Sequence, residues 1–194
     1  MNNLKAVFPS QSQETWRQIK SSLIRVNSPD SDQAFCYLVI GGAQDDRTDC
    51  FASAVAETAA GLRNKTFSPG VGEGEVGHES IKSRLQTQGS VSLPSLDAVG
   101  GEKAMALHGF CDSATLPLSH AYVHSTIVST LRRSPGSFHG SPEEYGSQEL
   151  TSAWSQSITK DKVSVQVSYL CKISILATVG SISSSHEKCF ISLK

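Results

Sequence analysis

The chain has 194 residues, with 17 Lys and Arg against 18 Asp and Glu and a formal net charge of -1. That length predicts one domain. The near-neutral balance, without a run of Lys or Arg, argues against binding to nucleic acid or to an anionic membrane surface. The apolar tract 163–179 is interrupted by polar side chains and is too polar to cross a bilayer as a helix. No apolar signal-peptide segment follows Met1, so we expect a soluble protein or the soluble part of a larger one.

The first predicted element is a helix with a start signal. Ser10-Gln11-Ser12-Gln13 fits a capping box, in which a Ser and a Gln satisfy amides of the first turn. Three apolar residues then follow on one helical stripe: Trp16, Ile19 and Leu23. Proline disfavours the helical conformation of the residue before it, so the helix should end near 27–29.

A strand, a glycine turn and a helix come next. Residues 35–40 form an unalternated apolar run, which is typical of a parallel strand covered on both faces, and Gly41-Gly42 ends it. From 46 to 62 the pattern becomes helical, with one side formed by Cys50, Phe51, Ala54, Val55, Thr58, Ala59 and Leu62. This order is the first half of a βαβ unit.

The middle of the chain gives weaker signals. We expect a turn-rich stretch over 63–78, then a helix over 79–88 with Ile81 and Leu85 inward, then a polar loop to Gly101. Residues 104–110 are predicted to be a second inner strand. The run 120–131 suits a helix slightly better than a strand and stays ambiguous.

The last third is predicted to begin with a loop over 132–146, which is rich in Ser, Pro and Gly. A helix should follow, with one face formed by Leu150, Ala153, Trp154 and Ile158. The chain then alternates as a strand through Val163, Val165 and Val167.

Two glycine-containing turns invite a nucleotide-binding interpretation, and neither supports it. Gly72-Glu73-Gly74-Glu75-Val76-Gly77 has the spacing of a dinucleotide fingerprint, but no strand precedes it and its two glutamates would repel phosphates. The turn 41–46 follows a strand but lacks the Lys and Ser/Thr of a P-loop. Asp45 and Asp46 instead bring carboxylates to the positive end of the helix. The sequence therefore predicts a fold of nucleotide-binding type that uses neither a nucleotide nor another cofactor.

Metal and hydrolytic sites are not indicated. His186 and Cys189 are half a zinc site at most, and His120 and His124 lack a third ligand nearby. There is no nucleophile-elbow or zinc-protease motif, so we do not expect an enzyme. The sequence Asn64-Lys65-Thr66 is a glycosylation sequon in a polar turn region, which favours a luminal compartment, although sequons also arise by chance.

Several segments together resemble the luminal domain of the torsin-interacting proteins, which include the lamina-associated polypeptide of the inner nuclear membrane and its relative in the endoplasmic reticulum. The most specific are Phe8-Pro9-x-Gln11 with Trp16, and Leu150-x-x-x-Trp154-Ser155. Weaker similarity lies in three other segments: Arg47-Thr48-Asp49-Cys50-Phe51-Ala52-Ser53, His78-Glu79-Ser80-Ile81-Lys82, and Lys103-Ala104-Met105-Ala106-Leu107-His108-Gly109-Phe110. The resemblance covers 4–167, and 168–194 is a divergent tail.

The resemblance implies a three-layer α/β fold of the AAA+-like, Rossmann-like type, with a mainly parallel sheet and no nucleotide-binding motifs. It implies a domain in the lumen of the nuclear envelope or endoplasmic reticulum that binds torsin, an AAA+ ATPase, and regulates its ATP hydrolysis. Contact with lamins would need a region outside this chain. In that family an arginine directly follows the Trp-Ser pair and acts as the finger on the ATP phosphates, which is worth on the order of 10³ to 10⁵ in rate.

The chain departs from the family at that position, where it carries Gln156. An amide donates hydrogen bonds but has no charge, so activation of torsin is not expected. Trp154 has two readings, packing in the core or contact with the partner. Much of the family's strand-and-loop material after Phe110 is absent, and the chain therefore resembles a shortened or divergent member.

Three functions compete at this stage: a torsin-binding accessory domain, a small α/β enzyme or nucleotide-binding protein, and a structural anchoring module of the nuclear envelope. A luminal domain would form one or two disulfides. By the resemblance, Cys50 is the favoured participant, with three candidate partners: Cys111, Cys171 and Cys189.

Overall fold

The computed structural model describes residues 2–28, 34–42, 47–69, 76–111, 124–133, 140–170 and 174–176. Its helices are α1 (Asn2–Val7), α2 (Gln13–Val26), α3 (Arg47–Gly61), α4 (His78–Gln88), α5 (Gly101–Ala104), α6 (His108–Cys111), α7 (Pro142–Trp154) and α8 (Lys160–Leu170), with a 3₁₀ turn at Met105–Leu107. Its strands are β1 (Phe35–Gly42), β2 (Ser90–Leu93), β3 (Thr126–Arg133) and β4 (Ser174–Leu176).

The described strands form one parallel sheet in the order β2-β3-β1-β4. β1 and β3 pair in register from Phe35 opposite Thr126 to Gly42 opposite Arg133. Parallel neighbours need crossover connections, and helices supply them here. The predicted α/β class with a parallel, Rossmann-like sheet between two helical layers is confirmed.

Alternation along β1 divides the core into two clusters, one on each face of the sheet. Phe35, Tyr37 and Val39 pack with α1, α2 and α3. Cys36, Leu38 and Ile40 pack with the helices from α4 to α8. Burial on both faces explains why β1 reads as a continuous apolar run in the sequence.

The predicted helices of the first half are confirmed, with one shift. The N-cap of α2 is Ser12, whose hydroxyl accepts from the amide of Thr15 at 3.0 Å, so the expected capping box starting at Ser10 is wrong by two residues. In α3 the buried residues include Phe51, Val55 and Ala59 as expected. Leu62, expected on the same side, lies after the helix and is 56% exposed.

Two predictions for the middle of the chain are wrong, and the ambiguous run is resolved. The expected polar loop before Gly101 contains β2. Residues 104–110 are helical rather than a strand, because Ala104, Leu107 and Cys111 are spaced three and four apart and bury one helical face. The ambiguous run 120–131 contains the first part of β3 (Thr126–Arg133), in which residues 126–131 are all buried.

The alternating valines near the C-terminus form helix α8 rather than a strand. Val163 and Val167 are four residues apart and both are buried, which satisfies a helical stripe as well as a period of two. β4 falls within 168–194, the predicted divergent tail, and pairs with β1. In the described part of the chain, no helix is both long enough and apolar enough to span a membrane.

Candidate functional site at the turn after helix α7

The end of β1 is packed tightly against the start of α3. Gly41 faces Thr48 so closely that a Cβ at this position would lie 1.7 Å from the Thr48 hydroxyl. Thr48 is itself only 1% exposed. Gly41 therefore serves close packing of strand and helix. Asp45 and Asp46, and most of the glycine-rich sequence 72–77, lie outside the described residues.

The first turns of α3 are tied to the sheet by a carboxylate. The Thr130 hydroxyl on β3 donates to Asp49, and the amide of Ser95 donates to the same hydroxyl at 2.9 Å. A carboxylate near the start of a helix interacts favourably with the helix dipole. It also repels a polyphosphate, so the described part of this corner disfavours a nucleotide.

Trp154 lies in the core. Its side chain is 0% exposed, and its indole Nε1 donates to the carbonyl oxygen of Val99 at 2.8 Å. Of the two readings of this residue, the packing role is the one the structure supports, because a fully buried ring cannot contact a partner directly. The hydrogen bond joins the end of α7 to the segment that follows β2.

Gln156 is brought to the surface by the turn that follows Trp154. The amides of Ser157 and Ile158 both donate to the carbonyl of Trp154, at 2.9 and 3.1 Å, and close the turn. The Ser157 hydroxyl accepts from the amide of Gly101 at 3.0 Å. The turn is thereby held against the start of α5, and Gln156 between these anchors is exposed.

An open groove of about 550 Å³ runs beside this turn. Its lining consists of Glu102, Met105, Gln156, Ser157, Ile158, Thr159 and Lys162. Exposed charges of opposite sign, Glu102 and Lys162, stand with half-buried apolar Met105 and Ile158. Such a surface suits contact with a protein, in which apolar area is buried and polar groups at the rim are paired.

The groove has no nucleophile prepared for catalysis. The Ser157 hydroxyl is engaged with the backbone of Gly101 and of Trp154. Among the described residues, no three His, Cys, Asp or Glu side chains converge as metal ligands would. Nδ1 of His124 lies 3.0 Å from the carbonyl of Val26, and His120 and His186 fall outside the described residues.

The disulfide joins Cys36 on β1 to Cys111 at the end of α6. Cys111 was one of the candidates, but Cys36 was not. Cys50 is not disulfide-bonded, so the expectation that it takes part is wrong for this structure. Cys36 and Cys111 are 75 residues apart in sequence, and only the packing of α6 on the sheet brings them together. Cys171 and Cys189 lie outside the described residues.

The sequon is on the surface, where Asn64 and Thr66 are both exposed in the segment after α3.

Sequence reasoning missed the partner of Trp154 and the neighbours of Gln156. Val99 and Glu102 precede Trp154 and Gln156 by more than 50 positions, and Lys162 follows Gln156 by six. No local sequence pattern links these residues.

The chain matches no model of a known protein family, and no curated protein is significantly similar to it.

Proposed function

We propose that this domain is a non-enzymatic, torsin-interacting protein that binds the AAA+ ATPase torsin through the surface around Gln156 without activating ATP hydrolysis. The observation that carries the proposal is the pairing of a buried anchor with an exposed amide. Trp154 fixes the end of α7, and two residues later Gln156 stands on the rim of a groove of mixed chemistry.

Residues of two segments of the resemblance support the proposal by packing together. Phe8 and Trp16 both meet Phe51 of α3 edge-to-face, with ring centroids 5.0 and 5.9 Å apart. The N-terminal motif and the weaker similar segment 47–53 on α3 thus build one cluster on one face of the sheet, while Leu150 and Trp154 of the other specific motif pack on the opposite face. The shared cluster gives the joint presence of the N-terminal motif and segment 47–53 a structural reason.

The lack of activation follows from the chemistry of residue 156. A finger residue must place positive charge on the phosphate oxygens where negative charge develops in the transition state. The Gln156 amide offers two N–H donors and no charge. Lys162 brings an ammonium to the same groove, but a lysine is a point charge without the planar fork of a guanidinium. We therefore expect binding with little stimulation.

The test uses purified full-length chain, ATP and torsin, with binding and phosphate release measured in parallel. Wild type should bind ATP-loaded torsin and leave its hydrolysis rate near the basal value. Gln156→Arg should bind and raise that rate, because it restores a guanidinium at the finger position. Complete recovery would correspond to on the order of 10³-fold or more.

Gln148→Arg is the matched control, since Gln148 is exposed on α7, away from the groove lining, and gains the same charge. It should leave the rate unchanged. Absence of binding by both wild type and Gln156→Arg, where a known activator binds, would reject the proposal. That result would favour the structural anchoring module instead. Retention of a nucleotide by the isolated chain would favour the alternative of a small enzyme or nucleotide-binding protein.

The Cys36–Cys111 disulfide supports the luminal location that we propose. Disulfides persist in the lumen of the endoplasmic reticulum and are rare in the cytosol. In the torsin-interacting family, the domain lies in the lumen shared by the endoplasmic reticulum and the nuclear envelope. A domain located there would meet torsin. Contact with lamins would again require a region outside this chain.

A further inference from the structure

The segment that follows α3 alternates between side chains facing the protein and side chains facing solvent. Arg63 and Lys65 are partly buried, whereas Asn64 and Thr66 between and after them are exposed. The two side chains that define the sequon therefore share the outer surface.

The inward-facing residues fix this segment in place. Arg63 donates from Nε to the Asn27 side chain and from Nη2 to the Val26 carbonyl, both at 3.2 Å. Lys65 Nζ donates to the carbonyl of Gln86 at 2.8 Å. The segment is thus held to the C-terminal ends of α2 and α4. Because Asn64 and Thr66 are exposed, modifying Asn64 would not disrupt buried contacts.

The backbone at Asn64 also forms a turn. Its φ is 55°, in the left-handed region, and its amide donates to the carbonyl of Gly61 at 3.1 Å. Asn is one of the few residues that adopt this conformation readily after a helix. The Asn64 side chain in this turn is exposed to solvent.

We propose that Asn64 is a site of N-linked glycosylation and that the domain carries a single glycan there. Asn64-Lys65-Thr66 is the only Asn-x-Ser/Thr sequence with x other than Pro in the chain. The second, independent observation is the Cys36–Cys111 disulfide, which belongs to the oxidising compartment in which such glycans are added.

The reaction needs an oligosaccharide donor linked to a polyprenyl pyrophosphate. Asn64 Nδ2 forms a C–N bond to the anomeric carbon of the sugar. The C–O bond between that carbon and the pyrophosphate breaks, the pyrophosphate leaves with the electron pair, and Nδ2 gives up one proton. No oxidant or reductant is consumed.

The glycan would be attached outside the Gln156 groove. The sequon segment is attached to Val26, whose carbonyl also meets His124 just before β3, and to Gln86 just before β2. The groove borders Gly101 and Glu102, which follow β2. The sequon segment is thus anchored to residues that precede β2 and β3, whereas the groove borders residues that follow β2, and none of the groove-lining residues belongs to the sequon segment.

The test expresses the full chain behind a cleavable secretory signal peptide in eukaryotic cells and compares its electrophoretic mobility before and after endoglycosidase treatment. Wild type should show one retarded species that the enzyme converts to the unmodified mobility. Thr66→Ala should abolish the retarded species without changing the residue that forms the turn at Asn64. Asn64→Gln should abolish it as well. Thr66→Ser, which keeps the sequon, should retain it.

A non-reducing gel of the same samples reports whether the Cys36–Cys111 disulfide has formed and hence whether the chain reached the lumen. Wild type that is oxidised but carries no glycan would overturn the proposal. A retarded species that persists in Thr66→Ala would overturn it as well. Neither result bears on torsin binding, which is measured separately.

Discussion

The indole nitrogen of Trp154 and the carbonyl oxygen of Val99 are 2.8 Å apart, and their hydrogen bond connects the end of α7 to the segment after β2. Both residues are buried, at 0% and 2% exposure. The bond thus closes in the core, where an unpaired carbonyl cannot turn to water. It determines where the turn carrying Gln156 begins.

Replacing Trp154 with Phe should lower the free energy of unfolding by about 1–3 kcal/mol, beyond the effect of lost ring volume. The reason is that the Val99 carbonyl is left buried without its donor. Urea unfolding followed by circular dichroism measures the change. Trp16→Phe is the matched control, because the described contacts of Trp16 are ring contacts with Phe51 and Lys5. Equal losses in both variants would contradict a specific role for the hydrogen bond.

Gly101 is required where α5 meets the turn after α7. A Cβ at this position would lie 2.7 Å from the Ser157 hydroxyl and 3.0 Å from atoms of both Trp154 and Ile158. Gly101→Ala should therefore cost about 1–3 kcal/mol of stability. Gly100→Ala has open space around the new methyl group and should stay within about 0.5 kcal/mol of wild type. A thermal unfolding series that ranks the two variants equally would show that the turn yields without cost.

The Cys36–Cys111 disulfide should add about 2–4 kcal/mol to the free energy of unfolding, because it restricts the unfolded chain. The two cysteines are 75 residues apart, so the constrained loop is long. Urea unfolding with and without a reducing agent measures the contribution. Reductant should destabilise wild type and Cys50→Ser alike, and should not affect the double variant Cys36→Ala, Cys111→Ala. Insensitivity of wild type to reductant would contradict the expected constraint.

Local pattern predicted the elements whose periodicity has one interpretation. The sequence predicts β1 because Leu38 and Ile40 are buried on one face of the sheet and Tyr37 and Val39 on the other. The run therefore has no exposed polar position. α4 was found because Ile81 and Leu85 are four apart within a polar sequence.

β2 could not be predicted, because its polar residues are satisfied by partners distant in sequence. The Ser90 hydroxyl donates to the Ala56 carbonyl at 2.7 Å, and the Ser53 hydroxyl meets that of Ser92 at 3.4 Å. Without those partners a Ser-rich run of four residues reads as a loop. The groove at Gln156 was hidden for the same reason, since Gly101 and Ser157 meet only through the fold.

Tyr37 provides a prediction for alkaline pH. Its hydroxyl is buried and has no hydrogen-bond partner within the described residues, and the nearby Ser22 hydroxyl donates to the Gln18 carbonyl. Burial raises the pKa of the Tyr37 phenol well above its usual value. The unfolded chain ionises near the ordinary tyrosine pKa of about 10, while the folded chain does not.

Stability from Tyr37 is therefore complete below about pH 10 and is lost as the pH rises further, by up to about 1.4 kcal/mol per pH unit. Tyr37→Phe removes this loss, so the variant should become more stable than wild type above about pH 10. At neutral pH it should equal or exceed wild type, since no hydrogen bond is given up. Urea unfolding of both proteins at neutral pH and above about pH 10 isolates the contribution of Tyr37 to stability, because the other titrating groups are common to both proteins. A stability difference that does not change with pH would mean that the phenolate is solvated in the folded state, and so that the Tyr37 side chain reaches water.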